Sequence, residues 1–503
     1  MEDLMEPIKE SFEDKVLQVM DDVKTIGLTS KQIAQKISED EKEVEELLNV
    51  LKDRGVVTHI GRGLWILTCY KDMFKDPDFI PPEFYLKKFK ENFNIEIDKY
   101  KKQITFSGNG LRIIHRWSPY VQGFSASFVD DMIARHGITK GKWILDPFVG
   151  SGTVSVCAKI KGINSLGIDL MPLMTFMSKV KTTWQLDLNG IKQELERIGR
   201  RWRTLKPTVS APFLRETKRQ FKYDVLESLL TLKELILNIE DPKIKNLFLL
   251  AFVSILIDCS NLKRSPCLGY VKEKKVDKDT PFNLLKEKIE QMLTDLIFVK
   301  DHQKDVFAEL ILGDSRIINY EKNSFDMAIT SPPYVNGMDY IINYKIEMAW
   351  LDLVKSYEDL ERLKEQMVAC DNIPKKVIQE FKSKKWIYYD EWLEDICDRI
   401  ENRIKRKGSY RRDDMHLIVR KYFEDVYPVF EKVYEGLKTG GRFIVVIGDS
   451  LIAGIYIPAD LMLAKLGREV GFTIEKIEVA RERRSGQRRD FILRESVVTL
   501  MKK

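Results

Sequence analysis

Trp143-Ile144-Leu145-Asp146-Pro147-Phe148-Val149-Gly150-Ser151-Gly152-Thr153 is the stretch that decides the fold. Its apolar start reads as a buried strand, and its two glycines let the backbone turn tightly and approach a ligand. Val154 to Lys161 then reads as a helix, and Ser165-Leu166-Gly167-Ile168-Asp169 as a second strand ending in a carboxylate. Strand, glycine turn, helix, strand and acid, in that order, form the unit of nucleoside-cofactor folds. An acid about 20 residues beyond the turn is placed to bind ribose hydroxyls. The unit predicts an α/β architecture.

Far downstream, Phe325-Asp326-Met327-Ala328-Ile329 reads as another buried strand and runs into Thr330-Ser331-Pro332-Pro333-Tyr334. Two prolines fix the backbone and remove two N–H donors, so neighbouring carbonyls point outward unpaired. A hydroxyl precedes them and an aromatic ring follows. Such a corner suits a flat, amine-bearing ring, which stacks on Tyr334 while its NH₂ donates to Ser331 and to a backbone carbonyl.

Together the two motifs resemble the amino-methyltransferases that act on nucleic-acid bases, and specifically their cytosine-N4 branch. That family carries DPF-x-GSGT and SPPY, and both occur here without a mismatch, at Asp146–Thr153 and Ser331–Tyr334. The adenine-N6 branch usually has Asp or Asn where Ser331 stands. The resemblance implies a Rossmann-like class I methyltransferase core, with a mostly parallel seven-stranded sheet and S-adenosylmethionine as cofactor. It assigns the cofactor to Asp146, Pro147, Phe148, Gly150, Ser151, Gly152 and Thr153, with Asp169 on the ribose, and catalysis to Ser331, Pro332, Pro333 and Tyr334. Three further segments resemble the family more weakly. His115 to Ile133, with Tyr120, Phe124 and Phe128, resembles the segment covering the methionine end. Leu312-Gly313-Asp314-Ser315 resembles the end of the third cofactor strand, with Asp314 near the adenine. Gly440 to Asp449 resembles the fifth strand after its glycine turn. The resemblance spans residues about 111–185 and 306–503. His115 itself reads as structural.

Methyl transfer to such an amine asks for placement more than for acid–base chemistry. The sulfonium is already a strong electrophile, whereas the cytosine amine shares its lone pair with the ring. Nitrogen and methyl carbon must be brought into line at near-attack distance. Ser331 Oγ and the Pro332 carbonyl are the expected acceptors for the two amine protons, an electrostatic preorganisation that needs no strongly shifted general base. Tyr334 is expected to stack on an extruded base, since a base inside a duplex cannot reach the donor. Asn336 and Asp339 follow closely enough to line the pocket.

One departure matters. Many cytosine-N4 DNA enzymes place SPPY before the cofactor motif, and here the cofactor motif comes first. The position of the target-recognition segment therefore does not carry over. DNA, by resemblance, and structured RNA such as ribosomal RNA both stay open as the nucleic-acid partner, and adenine-N6 methylation is the less favoured chemistry.

Working outward, residues 11–68 read as a winged helix: helical stretches near 12–24, 29–37 and 40–54, then strands Val56–Ile60 and Leu64–Leu67 around Gly61-Arg62-Gly63. Ser38 and Glu41 have capping-box spacing for the third helix. That helix begins Glu39-Asp40-Glu41-Lys42-Glu43-Val44-Glu45-Glu46, so phosphates would repel it. It suits a protein partner better than a major groove, although Arg62 in the wing is placed for a phosphate. Residues 69–110 read as a connector, with Pro77 and Pro81-Pro82 interrupting helix. The core is expected at 111–185, 306–351 and 413–503. Between its parts lie a helical insertion at 186–305, either a target-recognition domain or a structural cap, and a second at 352–412 with Trp386, Tyr388, Tyr389 and Trp392 grouped. Ser260 to Pro266 reads as a polar loop in the first insertion.

Two basic runs stand out. One holds Arg403, Lys405, Arg406, Lys407, Arg411 and Arg412 around Gly408-Ser409; the other holds Arg481, Arg483, Arg484, Arg488 and Arg489 around Ser485-Gly486-Gln487. Their glycines and serines suggest loops, and the arginine fork suits phosphate. Arg403, Arg406, Arg411, Arg412, Arg483, Arg484, Arg488 and Arg489 are thus the expected nucleic-acid contacts.

Across 503 residues, 83 Lys and Arg against 77 Asp and Glu leave a net charge of +6, too mild to prove a polyanion partner. The mixed-sign charge suits surface ion-pair networks of the thermophilic kind. Cys69, Cys157, Cys259, Cys267, Cys370 and Cys397 lack CxxC spacing and the five histidines are scattered, so neither a metal site nor a disulfide scaffold is expected. With no signal-peptide pattern and no long apolar run, the expectation is a soluble cytoplasmic protein without a membrane partner. A nicotinamide or flavin enzyme would want G-x-G-x-x-G, a P-loop enzyme G-x-x-x-x-G-K-[ST], and neither is present. A winged-helix regulator without enzymatic activity would want a basic recognition helix and leaves Ser331–Tyr334 unexplained.

Overall fold

The structure, a computed structural model, describes residues 11–23, 28–61, 63–68, 80–100, 104–120, 123–265, 267–272, 274–299, 305–335, 337, 339–370, 372–408, 411–485 and 491–503. Arg62, Cys69, Pro77, Pro266, Asn336, Ser409, Gly486, Gln487, Arg488 and Arg489 lie outside the described residues.

The N-terminal unit holds helices α1 (Phe12–Val23), α2 (Ser30–Ile37) and α3 (Glu41–Asp53) and strands β1 (Leu28–Thr29), β2 (Val57–Gly61) and β3 (Leu64–Leu67). The strands form an antiparallel sheet in the order β1-β3-β2. Val16, Met20, Ile33, Val44, Leu48, Leu51 and Trp65 fill its core. Helical spacing puts Val44, Leu48 and Leu51 on one buried face of α3 and leaves Glu41, Glu43, Glu45 and Glu46 toward solvent. The expected Ser38–Glu41 capping box does not form. Asp40 caps α3, accepting from the Lys42 and Glu43 amides, because Ser38 ends α2 in a left-handed conformation. The capping box sits instead at Thr29 and Gln32, on α2.

The stretch expected as a connector is partly core. Pro81 and Pro82 open the helix Pro82–Phe93 rather than break it, since a first-turn proline lacks only an N–H that has no partner there anyway. Its Tyr85 and Phe89 are buried in the main core, with the Tyr85 ring against Trp392 and Tyr456.

After it come β4 (Ile97–Lys99), β5 (Trp143–Asp146), β6 (Asn164–Asp169), the hairpin of β7 (Leu262–Arg264) and β8 (Leu268–Tyr270), β9 (Ala308–Leu312), β10 (Phe325–Thr330), β11 (Leu437–Gly448), the hairpin of β12 (Ser450–Ile452) and β13 (Ile455–Ile457), β14 (Thr473–Arg484) and β15 (Ile492–Met501). The main sheet runs β4-β14-β15-β11-β10-β5-β6-β9. Among the described residues the expected seven strands are eight: Ile97–Lys99 pairs in parallel with Ile477–Val479 and covers an edge that would otherwise expose unpaired backbone. Within this sheet the β11–β15 and β14–β15 pairings are antiparallel and the others parallel.

From β5 the chain steps outward through β6 to β9, then crosses to the other side of β5 for β10 and β11. Open α/β sheets bind ligands at such a reversal, outside the carboxyl ends of the strands. The parallel register sets Met327 beside Ile144 and Ala328 beside Leu145, so Asp146 and Thr330 emerge at the same edge.

The first insertion contributes helices Leu188–Arg201, Tyr223–Leu237, Pro242–Ile255 and Thr280–Val299, which share a large apolar core with helices Pro172–Thr182 and Tyr340–Trp350. The polar segment at 260–266 is not a plain loop, because Leu262–Arg264 pairs with Leu268–Tyr270. The second insertion holds helices Tyr357–Gln366, Lys375–Lys382 and Glu391–Lys407. Its aromatic group divides: Tyr388 and Trp392 are buried, whereas Tyr389 is exposed.

Candidate active site

The glycine turn closes on the second strand. Gly150 takes φ +50° and Gly152 φ +83°, a region that disfavours any side chain bearing a Cβ. The Gly150 amide donates to Asp169 Oδ2 at 3.0 Å and the Met171 amide to Asp169 Oδ1 at 2.9 Å. These bonds aim the Asp169 carboxylate at the crevice. Burial nevertheless pushes its carboxyl up to about 6, against those two backbone donors. Asp146 is fully enclosed. Its Oδ1 accepts from the Phe148 amide at 3.1 Å and from Thr330 Oγ1 at 2.8 Å, and burial pushes it up to about 7.

A cavity lies over this edge. Pro147, Phe148 and Asp169 form one wall, and Ser331 and Pro333 another. The two distant sequence motifs therefore share one cleft. Tyr120 lines it too, its ring stacked on Tyr344 with centroids 5.9 Å apart. The Arg264 guanidinium lies 4.5 Å from the Tyr344 centroid and donates to Glu347 at 2.7 Å. Through these contacts the first insertion props the tyrosine that covers Gly150; a Cβ there would stand 2.9 Å from Tyr120 Oη.

Asp314 lines the cavity but is already gripped by Arg316, at 2.7 Å and 2.9 Å from its two oxygens. Burial would raise this carboxyl, but the Arg316 hydrogen bonds and charge outweigh it and hold it below its usual value. Arg316 reaches on to Asp425 at 2.9 Å, and Asp425 accepts from the Ala369 amide at 3.0 Å. This network anchors the segment 366–369, whose Gln366, Met367 and Val368 roof the cavity. Sequence reasoning missed that roof, along with Met171, Met174 and Tyr340. For Tyr340 there was a signal, an aromatic six positions beyond Tyr334.

Other expected site residues lie elsewhere. Phe124 is a core residue, packed on Phe128 with centroids 5.4 Å apart, and does not line the cavity. Ser151, Gly152 and Thr153 are buried behind the turn rather than in the cavity wall, with Gly152 packed against Ser178. His115 is buried beside Cys157 Sγ at 3.7 Å, and burial holds it down to about 3, a neutral core histidine.

Tyr334 is tethered by its hydroxyl, which donates to Glu495, a residue that also accepts from Arg481. The ring lies against Gly448, where a Cβ would stand 2.8 Å from Tyr334 Cε2 and 3.4 Å from Arg483 Nη2. The basic runs are only partly in loops, as far as they are described: Arg411 and Arg412 lie between helices Glu391–Lys407 and Met415–Gly436. Arg403 and Arg406 sit in the last turns of helix Glu391–Lys407, where cations complement the helix dipole, and Arg483 and Arg484 end β14. Arg406, Arg411 and Arg484 are exposed. Arg483 donates to the Asp449 carbonyl at 2.8 Å. Arg412 is committed elsewhere, bound in a fork to Asp414 at 2.7 Å on both oxygens.

Among the described residues no group of three or more His, Cys, Asp or Glu could hold a metal ion, and no helix is long and apolar enough to cross a membrane.

The family described as DNA methylase (N6_N4_Mtase) matches residues 31–174, a span that contains the glycine turn and Asp169 but stops before Ser331. The chain is similar to the Type II methyltransferase M.BsoBI of Geobacillus stearothermophilus, 26% identical over 433 residues, covering 76% of this chain and 83% of the relative. It is also similar to Type II methyltransferase M.AvaI of Nostoc sp., 24% identical over 423 residues and covering 78% and 86%, and to M.MvaI of Kocuria varians, 23% identical over 401 residues and covering 74% and 86%. These likenesses are to DNA methylases and Type II methyltransferases.

Proposed function

We propose that this chain methylates the exocyclic N4 amine of cytosine in DNA. The observation that carries the reading is the shared cavity, with Pro147, Phe148 and Asp169 facing Ser331 and Pro333 across one cleft. When bound, S-adenosylmethionine supplies an electrophilic methyl group on a sulfonium. The residues present fit it: Asp169 offers its carboxylate to ribose hydroxyls, while Phe148, Met171 and Met174 offer apolar surface to the purine.

The chain's own task is orientation. Ser331 Oγ and the Pro332 carbonyl accept hydrogen bonds from the target amine and turn its nitrogen toward the cofactor cavity. Tyr334, its ring fixed through Glu495, stacks on the extruded base. Arg483, a glycine's width from that ring, and the exposed Arg484 and Arg406 meet the backbone phosphates. The first insertion acts as a cap that steadies Tyr120. The N-terminal unit we read as a winged helix whose acidic α3 faces a protein rather than DNA.

Adenine-N6 methylation is the second reading, because the matched family spans both chemistries in its name. Ser331, in place of Asp or Asn, favours cytosine. The test is to incubate the chain with labelled S-adenosylmethionine and either unmethylated duplex DNA or extracted RNA, then identify the labelled nucleoside. N4-methylcytosine from DNA is expected. N6-methyladenine would move the chain to the second reading, and label confined to RNA would overturn the DNA substrate.

A further inference from the structure

A second, smaller pocket adjoins the first and shares Pro333, Tyr340, Met367 and Val368 with it. Its remaining walls include Tyr334, Asp339, Lys364 and Cys370. On the reading proposed above, this is the side of Ser331–Tyr334 on which the flipped base sits. Asp339 is unusual there. Its Oδ1 caps helix Tyr340–Trp350, accepting from the Ile342 amide at 2.8 Å. Its Oδ2 is buried and has no hydrogen-bond partner among the described residues. A buried carboxylate oxygen left unsatisfied costs free energy, and such a group calls for an explanation.

Transfer to an amine leaves a proton to be disposed of. The amine lone pair forms the N–C bond as the C–S bond breaks, and the C–S electrons stay on sulfur. The nitrogen then carries one proton too many. A serine hydroxyl and a peptide carbonyl can accept its hydrogen bond, but neither holds the proton itself near neutral pH. We infer that Asp339 Oδ2 takes it: the O–H bond forms, and the N–H electron pair returns to nitrogen. Lys364, held at 3.1 Å by Glu361 at the same cavity wall, supplies a donor for the pyrimidine O2. The inference rests on the proposed base methylation and adds to it the destination of the proton.

Asp339→Asn separates this role from capping. Asparagine caps a helix as well as aspartate does, yet presents an amide in place of the second oxygen. Asp339→Ser caps too and presents nothing. Initial methylation rates on unmethylated duplex DNA at saturating S-adenosylmethionine would be measured for both variants, with thermal midpoints and cofactor affinity alongside. The expected result is a rate at least ~100-fold lower in each, from loss of kcat, with cofactor Kd unchanged within about twofold and the fold retained. A wild-type rate in either folded variant overturns the role, as does a rate loss that only tracks the fraction folded. If wild-type protein makes N4-methylcytosine and the variants match its rate, the inference alone fails. If wild-type protein methylates no base, the underlying reading fails with it.

Discussion

Thr330 Oγ1 donates to Asp146 Oδ1 at 2.8 Å, joining two strand ends that lie 184 positions apart in sequence. One belongs to the glycine-turn motif and the other to the residue before Ser331-Pro332-Pro333-Tyr334. The bond is a direct polar link between the cofactor wall and the wall proposed for catalysis, and it lies where strand order reverses, between β5 and β10.

Thr330→Val keeps the shape of the side chain and deletes that donor. Asp146, buried and left with the Phe148 amide on the same oxygen, should become harder to ionise. Unfolding free energy should fall by ~1–3 kcal/mol. Calorimetric titration should show weaker cofactor binding, with its pH midpoint moved upward. An unchanged midpoint would mean that Asp146 does not govern the site.

The pH dependence of the parent protein follows from the two raised carboxyls. Asp146 at about 7 and Asp169 at about 6 hold protons more tightly in the folded chain than in the unfolded one. Folding stability from these groups is therefore fullest at low pH, below the ordinary aspartate range. It declines as pH rises toward 7 and levels off above it. Cofactor binding runs the other way, since the cationic ligand favours the ionised acids. About one tenth of Asp146 is ionised one unit below its midpoint, so Kd should be ~10-fold higher at pH 6 than at pH 8. Equal affinities at the two values would refute this.

Gly152→Ala should be far worse than Gly269→Ala. At Gly152 φ is +83° and a new Cβ would stand 2.9 Å from Ser178 Cβ and 3.1 Å from its Cα. At Gly269 a Cβ meets nothing within 4 Å. Left-handed strain and overlap together should cost ~2–4 kcal/mol at the first site. The second should change stability by less than about 0.5 kcal/mol. Urea denaturation of both variants decides.

The exposed and the committed arginines should behave differently. Arg484→Ala should weaken DNA binding and reduce the steepness of log affinity against log salt by ~1, the share of a single neutralised phosphate. Arg412→Ala should leave that slope unchanged, because its guanidinium is held by Asp414. Equal salt slopes in the parent and the Arg484 variant would contradict the phosphate role.

Much of the site is legible in the chain, and the failures have physical causes. Gly150, Gly152 and Asp169 can be read because a tight turn and a carboxylate at fixed spacing are local demands. Ser331 and Pro333 can be read because a double proline at a strand end leaves few alternatives. What stays hidden is long-range. Nothing local says that Arg316, two positions from the Asp314 it clasps, will reach on to Asp425 and so fix the roof at Met367 and Val368. Phe124 misleads because an aromatic in a motif-like segment looks the same whether it faces a ligand or packs on Phe128. Ile97–Lys99 carries too few residues to announce a strand until β14 offers an edge. The arginine runs mislead because Gly408 and Ser485 suggest loops, whereas the arginines before them complete a helix and a strand.

The central claim is that one cleft brings the methyl donor to a base held at Ser331. A crystal structure of the chain with S-adenosylhomocysteine tests it most directly. The ribose hydroxyls are expected on Asp169, with the sulfur turned toward Ser331 and Pro333. Ligand bound outside the cavity lined by Pro147, Asp169 and Ser331, or with its sulfur turned away from Ser331, would contradict it.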